Sequence, residues 1–346
     1  MISDVFSLPS PVGLSHDELL DILLEEEYGH LPTGERTFCV EEISRDKGFL
    51  AGKANLVKLA FTMKGSFGEY TFPLYEVVPN DGKEHPAFLH INFRDLVPDR
   101  YQPTEELVDN GYAVFTFCYK DVTSDDGDFT NGLAGVIYQD GERREKDAGK
   151  IALWAYTATF VMDYILTRVE VDKEHISVIG HSRLGKTALL AGALDSRFYC
   201  AISNDSGCSG AAISRGKSGE TIADICRAFP YWFSEHYKMY VHNENAQPFD
   251  QHFLLAANAP HRVYVASATE DDWACPPHEY ASACLVSPYY EGLGLSGFIG
   301  ADKEAIVGKC YHDGRVGYHL RCGRHYQSRE DWLKVMAYLK KQYSMD

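Results

Sequence analysis

Residues 176–187 read Ile176-Ser177-Val178-Ile179-Gly180-His181-Ser182-Arg183-Leu184-Gly185-Lys186-Thr187, and Ala188-Leu189-Leu190-Ala191-Gly192-Ala193-Leu194 follows. A short apolar run enters a glycine. A serine stands two residues on, and a helix-forming stretch begins directly after it. The pattern predicts strand, sharp turn and helix. Two unrelated chemistries use that geometry. A nucleophile elbow presents Ser182 on a strained turn with its hydroxyl exposed. A phosphate cradle uses the backbone of a Gly-rich loop, and Gly180 to Thr187 also fits G-x-x-x-x-G-K-[ST].

Composition narrows the choice. A chain of 346 residues, 45% apolar and 24% charged, buries a large core without disulfides or metals. Its net charge of -17 argues against nucleic acid as a partner. Nine cysteines, an odd count with no C-x-x-C pair, predict reduced thiols, not a zinc site or a disulfide framework. Met1 to Val5 shows no basic, apolar leader, and no run is long enough to span a membrane. These features predict a cytoplasmic protein with no membrane partner. Nothing in the pattern calls for a cofactor or a metal, and the oligomeric state is left unassigned.

Taken in order, Ser15-His16-Asp17-Glu18 is a capping box opening a helix to about Tyr28, closed by Gly29. The acidic run Glu25, Glu26 and Glu27 reads as solvated. Leu56 to Met63 and Tyr70 to Val78 read as an antiparallel hairpin, and Pro86 to Ile91 as a buried strand. Thr104 caps a short helix, and Tyr112 to Cys118 is a further strand. Lys120 to Arg144 reads as a long surface loop. Lys150 to Thr167 is a helix, with apolar residues at helical spacing. Strands at 176–180, 199–203, 263–267 and 316–320 alternate with helices, the last capped by Ser328. Residues 211–260 form an aromatic-rich excursion. The reading is one α/β domain over 1–346, with a mostly parallel eight-stranded sheet covered on both faces.

In an open sheet of this kind the site lies beyond the carboxyl ends of the strands. Asn92, Phe93 and Arg94 follow the third strand. Ser182 follows the fifth, and Asn204 and Asp205 the sixth. Glu270, Asp271 and Asp272 follow the seventh, and His325 the eighth. Nucleophile, acid and base arrive in the chain order of α/β-hydrolase triads. A serine hydroxyl needs a base, and the base needs a carboxylate to fix its tautomer. The phosphate-cradle reading leaves His325 and the acidic cluster without a role. His319 is the rival base.

Gly180-His181-Ser182-Arg183-Leu184-Gly185-Lys186 resembles the G-x-S-R-x-G-K signature of glucuronoyl esterases, carbohydrate esterase family 15. The family shares the departure at Leu184, where an elbow usually carries its second glycine. Asn204-Asp205-Ser206-Gly207-Cys208, Gly219-Glu220-Thr221, Phe229-Pro230-Tyr231-Trp232-Phe233 and Thr269-Glu270-Asp271-Asp272-Trp273 extend the resemblance. It implies hydrolysis of esters between (4-O-methyl-)glucuronic acid carboxyls and alcohols, with a small molecule or a glucuronoxylan fragment as substrate. It implies Ser182 as nucleophile, His325 as base and Arg183 at the oxyanion. Lys186, Glu220 and Trp273 fall on positions that contact the sugar hydroxyls. The acid is placed at Asp271, with Asp205 as the second candidate. An acetyl or other carbohydrate esterase and an inactive sugar-binding relative are the alternatives.

Overall fold

The computed structural model describes residues 8–300 and 302–345. Ten strands form one sheet: β1 Arg36–Asp46, β2 Ala54–Gly65, β3 Gly68–Pro79, β4 His85–Asn92, β5 Ala113–Cys118, β6 Val171–His181, β7 Cys200–Asn204, β8 Arg262–Ala268, β9 Cys310–Tyr311 and β10 Val316–Arg321. Their spatial order is β1-β2-β3-β5-β4-β6-β7-β8-β10-β9. The pairs linking β5, β4, β6, β7, β8 and β10 are parallel. β1, β2 and β3 join antiparallel at one end and β9 at the other. The order reverses between β4 and β6, and Ser182 follows β6 at that switch point, where open α/β sheets bind ligands.

The sheet has two strands beyond the expected eight, both at its edges. β1 is almost wholly exposed and bulges between Glu42 and Ser44, so burial imposes no alternation on its sequence. β9 is two residues long, too short for any periodicity. The expected surface loop at 120–144 is also partly structured, with short helices at Tyr119–Val122 and Gly132–Ile137. Thr104 is the first residue of its helix, not the cap; Pro103 takes that place.

Two cores cover the sheet. One face packs the helices Lys150–Ile165 and Arg183–Leu194, including Trp154, Phe160 and Leu189. The other packs Leu107 and Val108 with Trp332, Val335 and Leu339 of the helix Arg329–Tyr343. Ser328 caps that last helix in a full capping box. The excursion after β7 folds back over the helix Lys150–Ile165. Tyr231 and Trp232 carbonyls accept the N–H groups of Lys150 and Ile151 at 3.0 and 3.2 Å, satisfying donors that a helix start leaves unpaired.

The expectation of a solvated Glu27 fails. The helix His16–Leu23 continues as a π-helical turn, Leu24–Tyr28, which rotates Glu27 into the interior. It is fully buried and accepts from Gln251 Nε2 at 3.1 Å. Burial pushes its carboxyl up to about 8, against the pull of Gln251 and Ser209. Its unfolded value is near 4.5. Between those limits the folded state holds the extra proton, so stability falls as pH rises, by at most about 1.4 kcal/mol per unit. Glu27→Gln is therefore expected to flatten the decline in melting temperature from pH 5 to 8. Parallel declines in wild type and variant would refute this.

Candidate active site

The ladder runs one residue past each central strand. Ser182 N–H donates to the Asn204 carbonyl at 2.8 Å, Asp205 N–H to Ala266 at 2.8 Å and Thr269 N–H to Arg321 at 2.9 Å. The four loops that carry Ser182, Asp205, Asp271 and His325 therefore leave the sheet side by side.

Ser182 sits at φ 58° and ψ -126°, a conformation costly for a side-chain-bearing residue. It occupies the N-cap position of the helix Arg183–Leu194 but makes no cap hydrogen bond, so capping is not its role. Gly180 makes the turn possible: a Cβ there would stand 2.1 Å from the Leu184 carbonyl oxygen. Leu184 is fully buried. The close approach usual for the elbow's second glycine has moved one residue on, to Gly185, whose Cβ would lie 3.0 Å from Ser203 Oγ. Gly180→Ala is expected to destabilise the fold by about 3 kcal/mol or more in denaturant melts. Gly185→Ala meets Ser203 Oγ, Ser206 Cβ and the Gly180 carbonyl oxygen at 3.0–3.2 Å, a milder overlap than the 2.1 Å at Gly180, and is expected to cost less; equal losses would refute the assignment.

His325 Nδ1 hydrogen-bonds Asp271 Oδ2 at 2.6 Å. Its ring lies 4.5 Å from that of His181, the residue before Ser182, and stays partly exposed. Asp271 is buried, which raises its carboxyl, but the hydrogen bond and charge of His325 outweigh burial and hold it below the usual carboxylate range. Asp205 lies in the same cluster, its carboxylate oxygen within 4.8 Å of the ligating atoms of the other two. Burial, reinforced by Glu279, Asp271 and Asp331, pushes Asp205 well above the usual range. Its Oδ2 accepts from Tyr326 N–H at 3.3 Å and Arg321 Nη2 at 3.5 Å. The two acids are thus pushed apart, Asp271 down by the histidine and Asp205 up by burial and its acidic neighbours. The 2.6 Å contact is a short hydrogen bond. His319, the rival base, has both nitrogens engaged, by Asp331 at 2.8 Å and Tyr264 at 2.9 Å, and is fully buried.

Arg321 was not singled out from the sequence, yet it holds the histidine loop. Its Nε donates to both oxygens of Asp331 at 2.8 Å, and its other nitrogens reach the carbonyls of Cys322, Arg324 and Tyr326. Arg183 opens the helix after Ser182, so its backbone N–H has no intrahelical acceptor. Its guanidinium pairs with Asp125 and lies 4.6 Å from the Trp232 ring and 5.1 Å from that of Phe229. Phe93 N–H turns to Asn92 Oδ1 at 2.8 Å, and Arg94 pairs with Asp99.

Lys186 does not face an open loop, as a phosphate clamp would. It is buried, donates to the Ser206 carbonyl and stands 3.9 Å from Glu220. Burial lowers its ammonium, against the pull of Glu220. Glu220 N–H donates to the Trp273 carbonyl at 3.0 Å, and Lys217 Nζ reaches the same oxygen at 2.9 Å. Trp273 is 54% exposed. Two residues earlier, Asp271 Oδ1 accepts from Ala274 N–H at 3.3 Å and its carbonyl from Cys275 N–H at 3.2 Å. One turn therefore carries Asp271 and Trp273 and clasps Glu220.

The family described as "Glucuronyl esterase, fungi" matches residues 75–294. Over 91% of its length the chain is 34% identical to the carbohydrate esterase MZ0003 of an unknown prokaryotic organism, covering 81% of that protein. The chain belongs to the glucuronoyl esterase family. A solved glucuronoyl esterase from Solibacter usitatus superposes at a TM-score of 0.87, with 30% identity and 98% coverage of both chains. The 4-O-methyl-glucuronoyl methylesterase of Podospora anserina is 28% identical over 62% of this chain, which spans 45% of that relative's length. Family membership makes the protein a carboxylic ester hydrolase of α/β-hydrolase fold. Among the described residues no helix is long and apolar enough to cross a membrane.

Proposed function

We propose that the protein is a serine esterase acting on esters of the glucuronic acid carboxyl group. The observation that carries the reading is Ser182 on a strained turn, directly after His181, whose ring lies 4.5 Å from that of His325, itself held at 2.6 Å by Asp271. His325 takes the Ser182 proton as Oγ bonds to the ester carbonyl carbon. Arg183 backbone N–H and its guanidinium stabilise the oxygen that becomes negative. Collapse breaks the carbon–alkoxy bond, and His325 passes its proton to the departing alcohol. Water, deprotonated by His325, then releases glucuronate and restores Ser182. Lys186, Glu220 and Trp273 supply donors, an acceptor and an indole edge for the sugar hydroxyls.

The wild type is expected to turn over methyl and benzyl glucuronate and to leave acetylated xylan largely intact. The reverse pattern would establish an acetyl esterase on the same fold. Binding of glucuronate with turnover of neither ester would establish an inactive sugar-binding relative.

A further inference from the structure

A second buried anchor forms around Asp125, in the irregular segment after β5 and the short helix Tyr119–Val122. Asp125, 6% exposed at its side chain, pairs with the Arg183 guanidinium. The same carboxylate accepts from Tyr119 Oη at 2.8 Å and Trp232 Nε1 at 2.8 Å, and its backbone carbonyl from Tyr231 Oη at 2.8 Å. The loop beneath is fixed in turn by the buried Lys150, whose Nζ donates to Thr123 Oγ1 at 2.8 Å and the Asp128 carbonyl at 2.6 Å.

We propose that Asp125 is a positioning residue for the reaction: by gripping one end of the Arg183 guanidinium, it aims the remaining donors at the oxygen that turns negative when Ser182 attacks. This rests on the role proposed above for Arg183. Two neutral donors already satisfy much of the carboxylate, and Arg183, 23% exposed at its side chain, has water within reach. Neither group therefore needs the pair merely to be solvated. With Nη1 tied and the rings of Trp232, Phe229 and Phe93 at 4.6–5.9 Å, the guanidinium loses rotational freedom. Its Nε–H is buried and has no acceptor among the described residues. A fixed donor aimed before the reaction avoids the reorganisation a mobile arginine would need. Lys186 donates to the Ser206 carbonyl and faces Glu220 at 3.9 Å, and the Trp273 backbone is held by Glu220 N–H, so Asp125 bears on turnover more than on binding.

The test is a double-mutant cycle on methyl glucuronate hydrolysis with chemical rescue. Asp125→Asn is expected to lower kcat at least about tenfold and change KM less than about threefold, and Arg183→Ala to lower kcat about 100-fold. The double variant is expected to match Arg183→Ala within about twofold, because Asp125 acts only through Arg183. Millimolar guanidinium is expected to restore part of the Arg183→Ala activity saturably, and none in the double variant. Tyr119→Phe removes one donor from the same carboxylate and keeps the ion pair; it is expected to lose less kcat than Asp125→Asn. Asp125→Ser replaces Asp125→Asn throughout if melting curves show the latter unfolded. Multiplicative losses in the double variant, equal rescue of both, or a Tyr119→Phe loss as large as that of Asp125→Asn would overturn the proposal. Full activity of Arg183→Ala would overturn the role of Arg183 and this inference with it; loss there with none at Asp125 would overturn the inference alone.

Discussion

Ser182→Ala is expected to lower kcat/KM on methyl glucuronate by at least about 10⁴-fold, with the melting temperature nearly unchanged. The effect is large because, in the proposed mechanism, the hydroxyl oxygen forms the acyl bond. Fold is spared because Ser182 Oγ caps nothing. Ser182→Gly sharpens the test. It removes the same atom but admits φ 58° without a Cβ penalty, so it is expected to raise stability by about 1 kcal/mol while losing as much activity. Stability and activity moving in opposite directions is the signature of a backbone strained for its function. Retention of more than a tenth of wild-type activity by Ser182→Ala would remove the serine from the mechanism.

The second large effect separates the two acids. Asp271→Asn is expected to lower kcat by about 10³- to 10⁴-fold, because an amide on His325 Nδ1 favours the wrong imidazole tautomer and leaves the imidazolium without a countercharge. Asp205→Asn is expected to lower it by less than about tenfold. Burial pushes the Asp205 carboxyl up, and its Oδ2 receives donors from the backbone of Tyr326 and from Arg321, so an amide oxygen oriented the same way replaces those contacts. Steady-state kinetics of both variants, with melting curves to confirm folding, decide the matter. A larger loss at Asp205 would transfer the role of acid to it.

The central strands were legible because burial on both faces leaves near-continuous apolar runs, as at Val178-Ile179 and Tyr264-Val265. β1 was not, because exposure on both faces removes that pressure. Glu27 was misread because a helical wheel assumes an α-helical repeat, and a π-helical turn shifts the register. The strand-end rule placed Ser182, Asp205, Asp271 and His325 on the loops of neighbouring strands, since position along a parallel strand translates directly into position in space. Asp125 and Arg321 escaped for the complementary reason. Asp125 sits in an irregular segment whose partners, Arg183 and Trp232, lie far off in sequence. Arg321 ends a strand like many others, and only the path of the loop after it turns carbonyls toward its guanidinium.

The turn that carries both Asp271 and Trp273 has a consequence for redesign. The Trp273 carbonyl is bound by Lys217 and by the Glu220 backbone, and Asp271 is bound two residues upstream in the same turn. Under the roles proposed above, tuning the preference for one sugar over another there also disturbs the Asp271–His325 pair. Variants at 217–220 or 273 are expected to trade selectivity against turnover.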